Sequence, residues 1–235
     1  MVMHPSPKPL NLTRIRTVWI LGAGFFGQRA LAATHAHLRN LSERPLVVDR
    51  APQRLEGLDA EVLCAEAVTW LAAHLGKPEG PLGGEDHLII PALPLHVVAE
   101  WLRLRHNVHG GWECPPVPHA LLEALPNPYH FPSVGGLYNS IASWRCPEDC
   151  PVPVSHCTHT GAPRDPDLYD ALGQLRLRGW QTLVIHSRQV APGVGGYTAR
   201  QLWDTFEAAR SAQKPIIVAT VCRCHGVLDL LSPCA

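Results

Sequence analysis

Two hydrophobic periods alternate along the first part of the chain. Short apolar runs occur at Thr17-Val18-Trp19-Ile20-Leu21, Pro45-Leu46-Val47-Val48-Asp49, Glu61-Val62-Leu63-Cys64 and His87-Leu88-Ile89-Ile90. Continuous apolar runs of this length suit strands buried on both faces. Between them the spacing becomes helical. Gln28–Arg39 offers Ala30, Leu31, Ala33 and Leu38 to one face. Glu66–Leu75 carries Val68, Leu71 and Leu75 at i, i+3 and i+7, and Leu95–Arg105 carries Val98, Trp101 and Leu102. This alternation predicts an α/β fold, a Rossmann-like doubly wound parallel sheet over residues 14–108. Trp19, Trp70, Trp101 and Trp203 sit at apolar positions and are expected in the core.

From 109 to 166 the periodicity fades and Pro, Gly, His and Cys dominate, so the segment reads as a Cys/Pro-rich insertion. Residues 167–235 regain a pattern. A helix is expected over Asp167–Arg178, a strand over Thr182–Ile185, a helix over Thr198–Arg210 and a strand over Pro215–Ala219. Thr198 and Gln201 form a capping box. This C-terminal α/β segment reads as a βαβ unit, and its strands are expected to join or abut the first sheet.

Charge narrows the function. Lys plus Arg is 20 and Asp plus Glu is 20. A chain with no net charge lacks the basic face of a general nucleic-acid binder or a polybasic membrane protein. No apolar run reaches the ~18 residues of a spanning helix. Met1 to Leu10 is polar and proline-broken, without the apolar region of a signal peptide. The expectation is a cytoplasmic protein with no nucleic acid partner and no membrane insertion, able to form a homo-oligomer, its eight cysteines reduced.

Gly22-x-Gly24-x-x-Gly27 follows a strand and opens a helix, with Asp49 ending the next strand. Gly22 permits the tight turn, Gly24 lets the backbone approach a pyrophosphate, and Gly27 lets helix and strand pack closely. The amides at Phe25 and Phe26 then face the phosphates. Asp49 can accept from a ribose, which favours NAD(H) over NADP(H), although Arg50 directly follows. On Val18–Gly27 and Leu46–Asp49, the stretch from Thr17 to Arg105 resembles the TrkA-N, or RCK-type, NAD-binding Rossmann domain. The resemblance implies that Gly22, Gly24, Gly27 and Asp49 touch NAD(H), and it favours a regulator that senses NAD(H) or redox state. Where such domains often carry Gly-Asp, this chain has Cys64-Ala65-Glu66.

The cysteines point elsewhere. Cys146, Cys150 and Cys157 are spaced C-x3-C-x6-C, and Cys222-Arg223-Cys224-His225 follows the last expected strand. Thiolates and imidazole suit zinc or an Fe–S cluster. Cys146, Cys150, Cys157, Cys222, Cys224 and His225 are the candidate metal ligands, with His156 and His159 as alternatives and Trp144 as a shield. Separate buried thiols, or a disulfide between Cys222 and Cys224, are the other readings. Cys64 reads as core, and Cys114 and Cys234 carry no assignment.

The segment His186–Tyr197 reads as a second glycine loop between strand and helix. It carries His186 for proton transfer and Arg188 for an anionic small-molecule ligand. No P-loop, Gly-x-Ser-x-Gly or His-Glu-x-x-His motif is present. The expected function is an NAD-dependent oxidoreductase with a Cys/His metal centre. The alternatives are the NAD(H)-sensing regulator and a metal-handling protein on a Rossmann scaffold.

Overall fold

A computed structural model describes residues 11–38, 40–76, 84–106, 111–130, 136–153, 155–164 and 166–234. Residues 1–10 of the proline-broken N-terminus lie outside them.

The chain is a mixed α/β protein built on two sheets. The first begins with four parallel strands in the order β3-β2-β1-β4: β1 (Thr17–Leu21), β2 (Leu46–Asp49), β3 (Glu61–Cys64) and β4 (His87–Pro91). Their crossovers are α1 (Phe25–His37) and α2 (Ala67–His74), and α3 (Val97–His106) leaves β4. This is the Rossmann-like half that the apolar runs predict. Glu66 accepts from the Val68 and Thr69 amides and caps α2, which gives the departure at Cys64-Ala65-Glu66 a structural reason.

The second sheet takes strands from both later segments, in the order β6-β7-β12-β11-β8. These are β6 (Tyr129–His130), β7 (Leu137–Ser140), β8 (Gln181–His186), β11 (Ile216–Val221) and β12 (His225–Pro233), and β5 (Trp112–Glu113) pairs with β12. β8 and β11 are parallel and joined through α6 (Ala199–Arg210), the expected βαβ unit. The cysteine-rich segment is therefore partly sheet and supplies β7. β8 and β11, expected to join or abut the first sheet, instead belong to this second sheet together with strands of the cysteine-rich segment.

Alternation along the strands sets the layers. Val18 and Ile20 face a core under α1, whereas Trp19 and Leu21 face a core filled by α2, α3 and α6. Ile216 and Val218 point into that same middle layer, and Ile217, Ala219 and Val221 face a third core under α4 (His119–Ala124) and α5 (Leu168–Gly173). Trp101 and Trp203 are fully or nearly buried in the middle layer, as their positions predict. In that layer His96 bridges the sheets: Nδ1 meets Asp229 Oδ2 at 2.8 Å and Nε2 meets Thr220 Oγ1 at 2.8 Å.

Three local expectations fail for physical reasons. The helix from Asp167 stops at Gly173, because Leu175 and Leu177 alternate with arginines and reach the third core with period two. Cys64 is exposed, since β3 is an edge strand. The second glycine loop is a β-hairpin. After β8 the chain turns at Ser187 and leaves its sheet. It forms β9 (Arg188–Ala191) and β10 (Val194–Thr198), and β10 pairs antiparallel with β4. A Cβ at Gly196 would lie 2.8 Å from the Ile89 carbonyl oxygen. That glycine serves strand pairing rather than an anion. The capping box between Thr198 and Gln201 is present.

Candidate functional site

Two segments bring the sulfurs together. The irregular chain after β7 carries Cys146, Cys150 and Cys157. The other segment is the turn between β11 and β12, which holds Cys222, Arg223 and Cys224 and is closed by the Cys222 N–H donating to the His225 carbonyl at 2.9 Å. Backbone bonds hold the segments to each other, with the Ile141 amide donating to Cys224 O and the Leu168 amide to Arg223 O. All five cysteines and His225 line one cavity of about 800 Å³. It lies where the parallel strands β8 and β11 end, the edge at which open α/β sheets receive ligands.

Three of the five sulfurs share a local geometry. Cys222 Sγ accepts from the amides of Cys224 at 3.4 Å and His225 at 3.3 Å. Cys157 accepts from the Thr160 hydroxyl and from the Thr160 and His159 amides, which pulls its thiol down to about 7. Burial works to raise Cys150, but bonds from the Thr158 hydroxyl, the Val152 amide and the Arg164 guanidinium outweigh it, and its net shift is downward. In each case amides two or three residues beyond the cysteine fold back onto its sulfur. At Cys150 and Cys157 these donors favour the thiolate over the thiol. The other two sulfurs behave oppositely. Burial raises Cys146, helped by the nearby thiols of Cys150, Cys157 and Cys222. Burial pushes Cys224 up to about 12.

Arg164, which no sequence motif singles out, lies among these sulfurs. It is 93% buried, being only 7% exposed. Its Nη1 donates to the Pro153 carbonyl, and its guanidinium also reaches Cys150 and Cys157. No carboxylate pairs with it among the described residues. A buried cation requires a counter-charge, and thiolates are the anions at hand. Thr158, Thr160 and Arg164 were missed because a hydroxyl one and three residues after a cysteine is a faint signal. It is legible only once the amide turn is known. Among the alternative ligands, His159 stacks on Trp144 at the cavity wall, and His156 bonds Ser155 instead.

Among the described residues no three Cys, His, Asp or Glu side chains converge tightly enough for one metal ion. Tetrahedral zinc with bonds of about 2.3 Å would need its sulfurs roughly 3.8 Å apart. A cluster distributes its thiolates over several irons and tolerates a wider ring. The donor set is soft, the type that zinc or an Fe–S cluster takes.

His186 and Arg188 line the same cavity. His186 ends β8, stacks on Tyr169 with centroids 4.4 Å apart, and is held down to about 4 by burial and then by the Arg188 charge. It is therefore neutral at pH 7.

The glycine loop does not line the cavity. Gly22 has φ +105° and no room for a side chain against Ala92 O at 2.6 Å. A Cβ on Gly27 would lie 2.0 Å from Gly22 O. Both glycines serve the fold. At Gly24 a Cβ would find nothing within 4 Å, and the start of α1 has no side-chain cap, so its first amides are open. Phe25 and Phe26 are exposed at this opening. Asp49 is turned inward: its carboxylate accepts from Ala23 N at 2.7 Å and Ala51 N at 2.8 Å and is 4% exposed. Arg54, rather than Arg50, approaches Asp49, at 3.8 Å. The glycine loop and the cysteines are linked by Arg29 on α1, which bonds the Glu148 side chain at 3.2 Å and its carbonyl at 3.0 Å. Glu148 lies between Cys146 and Cys150.

A relative from Archaeoglobus fulgidus, described as "Uncharacterized protein", is 27% identical over 223 residues, covering 90% of this chain and 97% of its own length. No solved structure matches significantly. Residues 98–233 match AF_1314_C, described as "Uncharacterized protein, C-terminal domain". No TrkA-N or RCK-type family is found, which corrects the resemblance drawn from the glycine loop. The loop's first and third glycines answer to strand–helix packing, a demand many unrelated Rossmann-like folds share. The family match runs from inside α3 to the end of β12 and encloses every residue of the cavity. Since it spans more than half of the sequence, the chain belongs to the AF_1314_C family.

Proposed function

We propose that this protein is a dinucleotide-binding redox protein whose cavity holds an Fe–S cluster on Cys150, Cys157 and Cys222. The observation that carries the reading is the threefold amide turn. Three cysteines from segments more than 60 residues apart present donor-decorated sulfurs to one cavity. Hydrogen bonds to cluster sulfurs are a main determinant of cluster potential. Cys146, within electrostatic reach of all three, is the candidate fourth ligand, and His225 and Cys224 line the same cavity. Arg164 offsets the negative charge of the thiolates. A bound cluster would supply one-electron capacity at this wall.

NAD(H) would lie on the open amides at Gly24, Phe25 and Phe26, with Gly22 and Gly27 shaping the turn. Asp49 supports it by fixing the loop through Ala23, and its ribose role would require the carboxylate to rotate outward. Arg29 keeps the cysteine segment against α1, so the two sites share one scaffold. The test is anaerobic purification with iron, sulfide and zinc analysis, a visible spectrum before and after dithionite, and NADH titration. Iron and sulfide in equal amounts, with colour that bleaches on reduction, is the expected result. Stoichiometric zinc without sulfide, or metal-free protein after iron–sulfide reconstitution, refutes the cluster.

A further inference from the structure

The cavity has an unusual charge inventory. Arg164, Arg188, Arg223, His159, His186 and His225 line it, and no Asp or Glu among the described residues does. The chain as a whole carries equal numbers of acids and bases, so this wall is locally selected for cations. Two of the three arginines are occupied. Arg223 Nη1 pairs with Asp167 Oδ2 at 2.8 Å, and Arg164 Nη1 donates to the Pro153 carbonyl with its guanidinium beside the Cys150 and Cys157 sulfurs, although its Nε is buried without a partner. Arg188 has no ion pair and no hydrogen-bond acceptor among the described residues, and its Nε is buried without a partner. His186 is 92% buried, being 8% exposed, and its Nδ1 is likewise buried without a partner.

Unpaired buried donors are costly in a folded protein and rarely retained without a use. These two belong to residues i and i+2 where the chain crosses from β8 to β9. Both side chains line the cavity. The guanidinium edge formed by Nε–H and an Nη–H is a planar fork matched to a carboxylate. One uncompensated cation, with the Glu85 carboxylate within electrostatic reach of Arg188, favours a monoanion over a dianion.

We propose that His186 and Arg188 form a recognition subsite for the carboxylate of a small monoanionic substrate. Arg188 holds the carboxylate by its Nε edge, and the Nδ1–H tautomer of His186 donates to one oxygen. Stacking on Tyr169 fixes the imidazole plane. The inference rests on the redox reading only for the chemistry that would follow. Binding itself is independent of metal.

The test is calorimetric titration of acetate, with acetamide and sulfate as comparison probes. It is run on protein as isolated anaerobically and on metal-free protein. Acetate is expected to bind saturably in either form and acetamide not at all. Arg188→Gln and His186→Phe, the latter keeping the stack on Tyr169, should each weaken acetate at least tenfold. Acetamide binding as well as acetate on the unaltered chain, or unchanged acetate affinity in both variants, overturns the subsite. Sulfate binding more tightly than acetate overturns the carboxylate assignment. A cluster found without acetate binding, or acetate binding without a cluster, tells the two readings apart.

Discussion

Substitution of Gly24 by Ser separates what the glycine loop does for the fold from what it does for a ligand. Gly24 is the N-cap of α1, with φ −70° and ψ −167°, extended backbone open to any residue. Nothing lies within 4 Å of a Cβ there. A serine at an N-cap stabilises a helix over glycine by a few tenths of a kcal/mol, through a side-chain bond to the open amides. For a chain of this size that raises Tm by about 1 °C. The same Cβ and hydroxyl would fill the space through which a pyrophosphate reaches those amides. Gly24→Ser should therefore weaken NADH at least tenfold, about 1.4 kcal/mol, while the protein becomes no less stable. Gly27→Ala is the opposite case. Its Cβ would meet Gly22 O at 2.0 Å, and Gly22 cannot retreat because Ala92 O already closes its far side. Overpacking of this kind costs about 3 kcal/mol, a fall in Tm of roughly 10 °C. The assays are thermal unfolding and NADH fluorescence titration on the same preparations. Unchanged NADH affinity in a stable Gly24→Ser protein would falsify the dinucleotide reading, whatever Gly27→Ala does.

Other outcomes follow from the same contacts. Cys150→Ser, Cys157→Ser and Cys222→Ser should each lower bound iron and sulfide in anaerobic protein, whereas Cys64→Ser and Cys234→Ser, both at exposed positions, should leave them unchanged. In metal-free protein Thr160→Val removes the largest influence lowering the Cys157 thiol. Its alkylation by iodoacetamide at pH 7 should slow, and the rate difference should vanish above about pH 9, where the thiol ionises in either protein. The sign for stability follows. A folded-state value of about 7, below the ordinary one, favours the folded chain at alkaline pH, and that contribution is lost as pH falls through 7. His96→Ala strips the partner from Asp229 Oδ2 and Thr220 Oγ1 in the middle layer. Urea unfolding should show a loss of about 2–3 kcal/mol, and a loss below about 0.5 kcal/mol would mean water replaces the imidazole.

Hydrophobic period was sufficient for the Rossmann-like half, because β1, β2 and β4 are buried on both faces and the helices between the strands turn apolar residues to the sheet. β1 and β3 fall on the residues their patterns mark. It failed where pairing rather than burial decides. β12 runs from His225 to Pro233 but follows a cysteine turn that draws attention to chemistry. β10 contains Gly195 and Gly196, and Gly193 lies in the turn from β9, so the hairpin reads as loop. Its strand character comes from the edge of β4, a partner more than 95 residues away, and no local signal reports it. The same limit hid Arg164: its importance lies in burial without a carboxylate partner among the described residues, and only three-dimensional placement reveals that.

The corner at Ser187 explains why the candidate chemistry collects where it does. A chain that leaves one sheet at His186 and enters another at Arg188 keeps its backbone paired on either side and carries the two side chains to the cavity where β8 ends. Ser187 itself keeps its amide on Val221 O at 2.8 Å, which ties the corner to the strand leading into Cys222. The β11–β12 turn and the corner are thus anchored to the same residue. A shift of either would move His186 and Arg188 relative to Cys222. Residues so coupled behave non-additively when changed together. A double-mutant cycle between Arg188→Gln and Cys222→Ser, read out as acetate affinity, should then show an interaction of at least about 0.5 kcal/mol. Strict additivity would mean the corner and the cysteine turn act as separate sites that merely border one cavity.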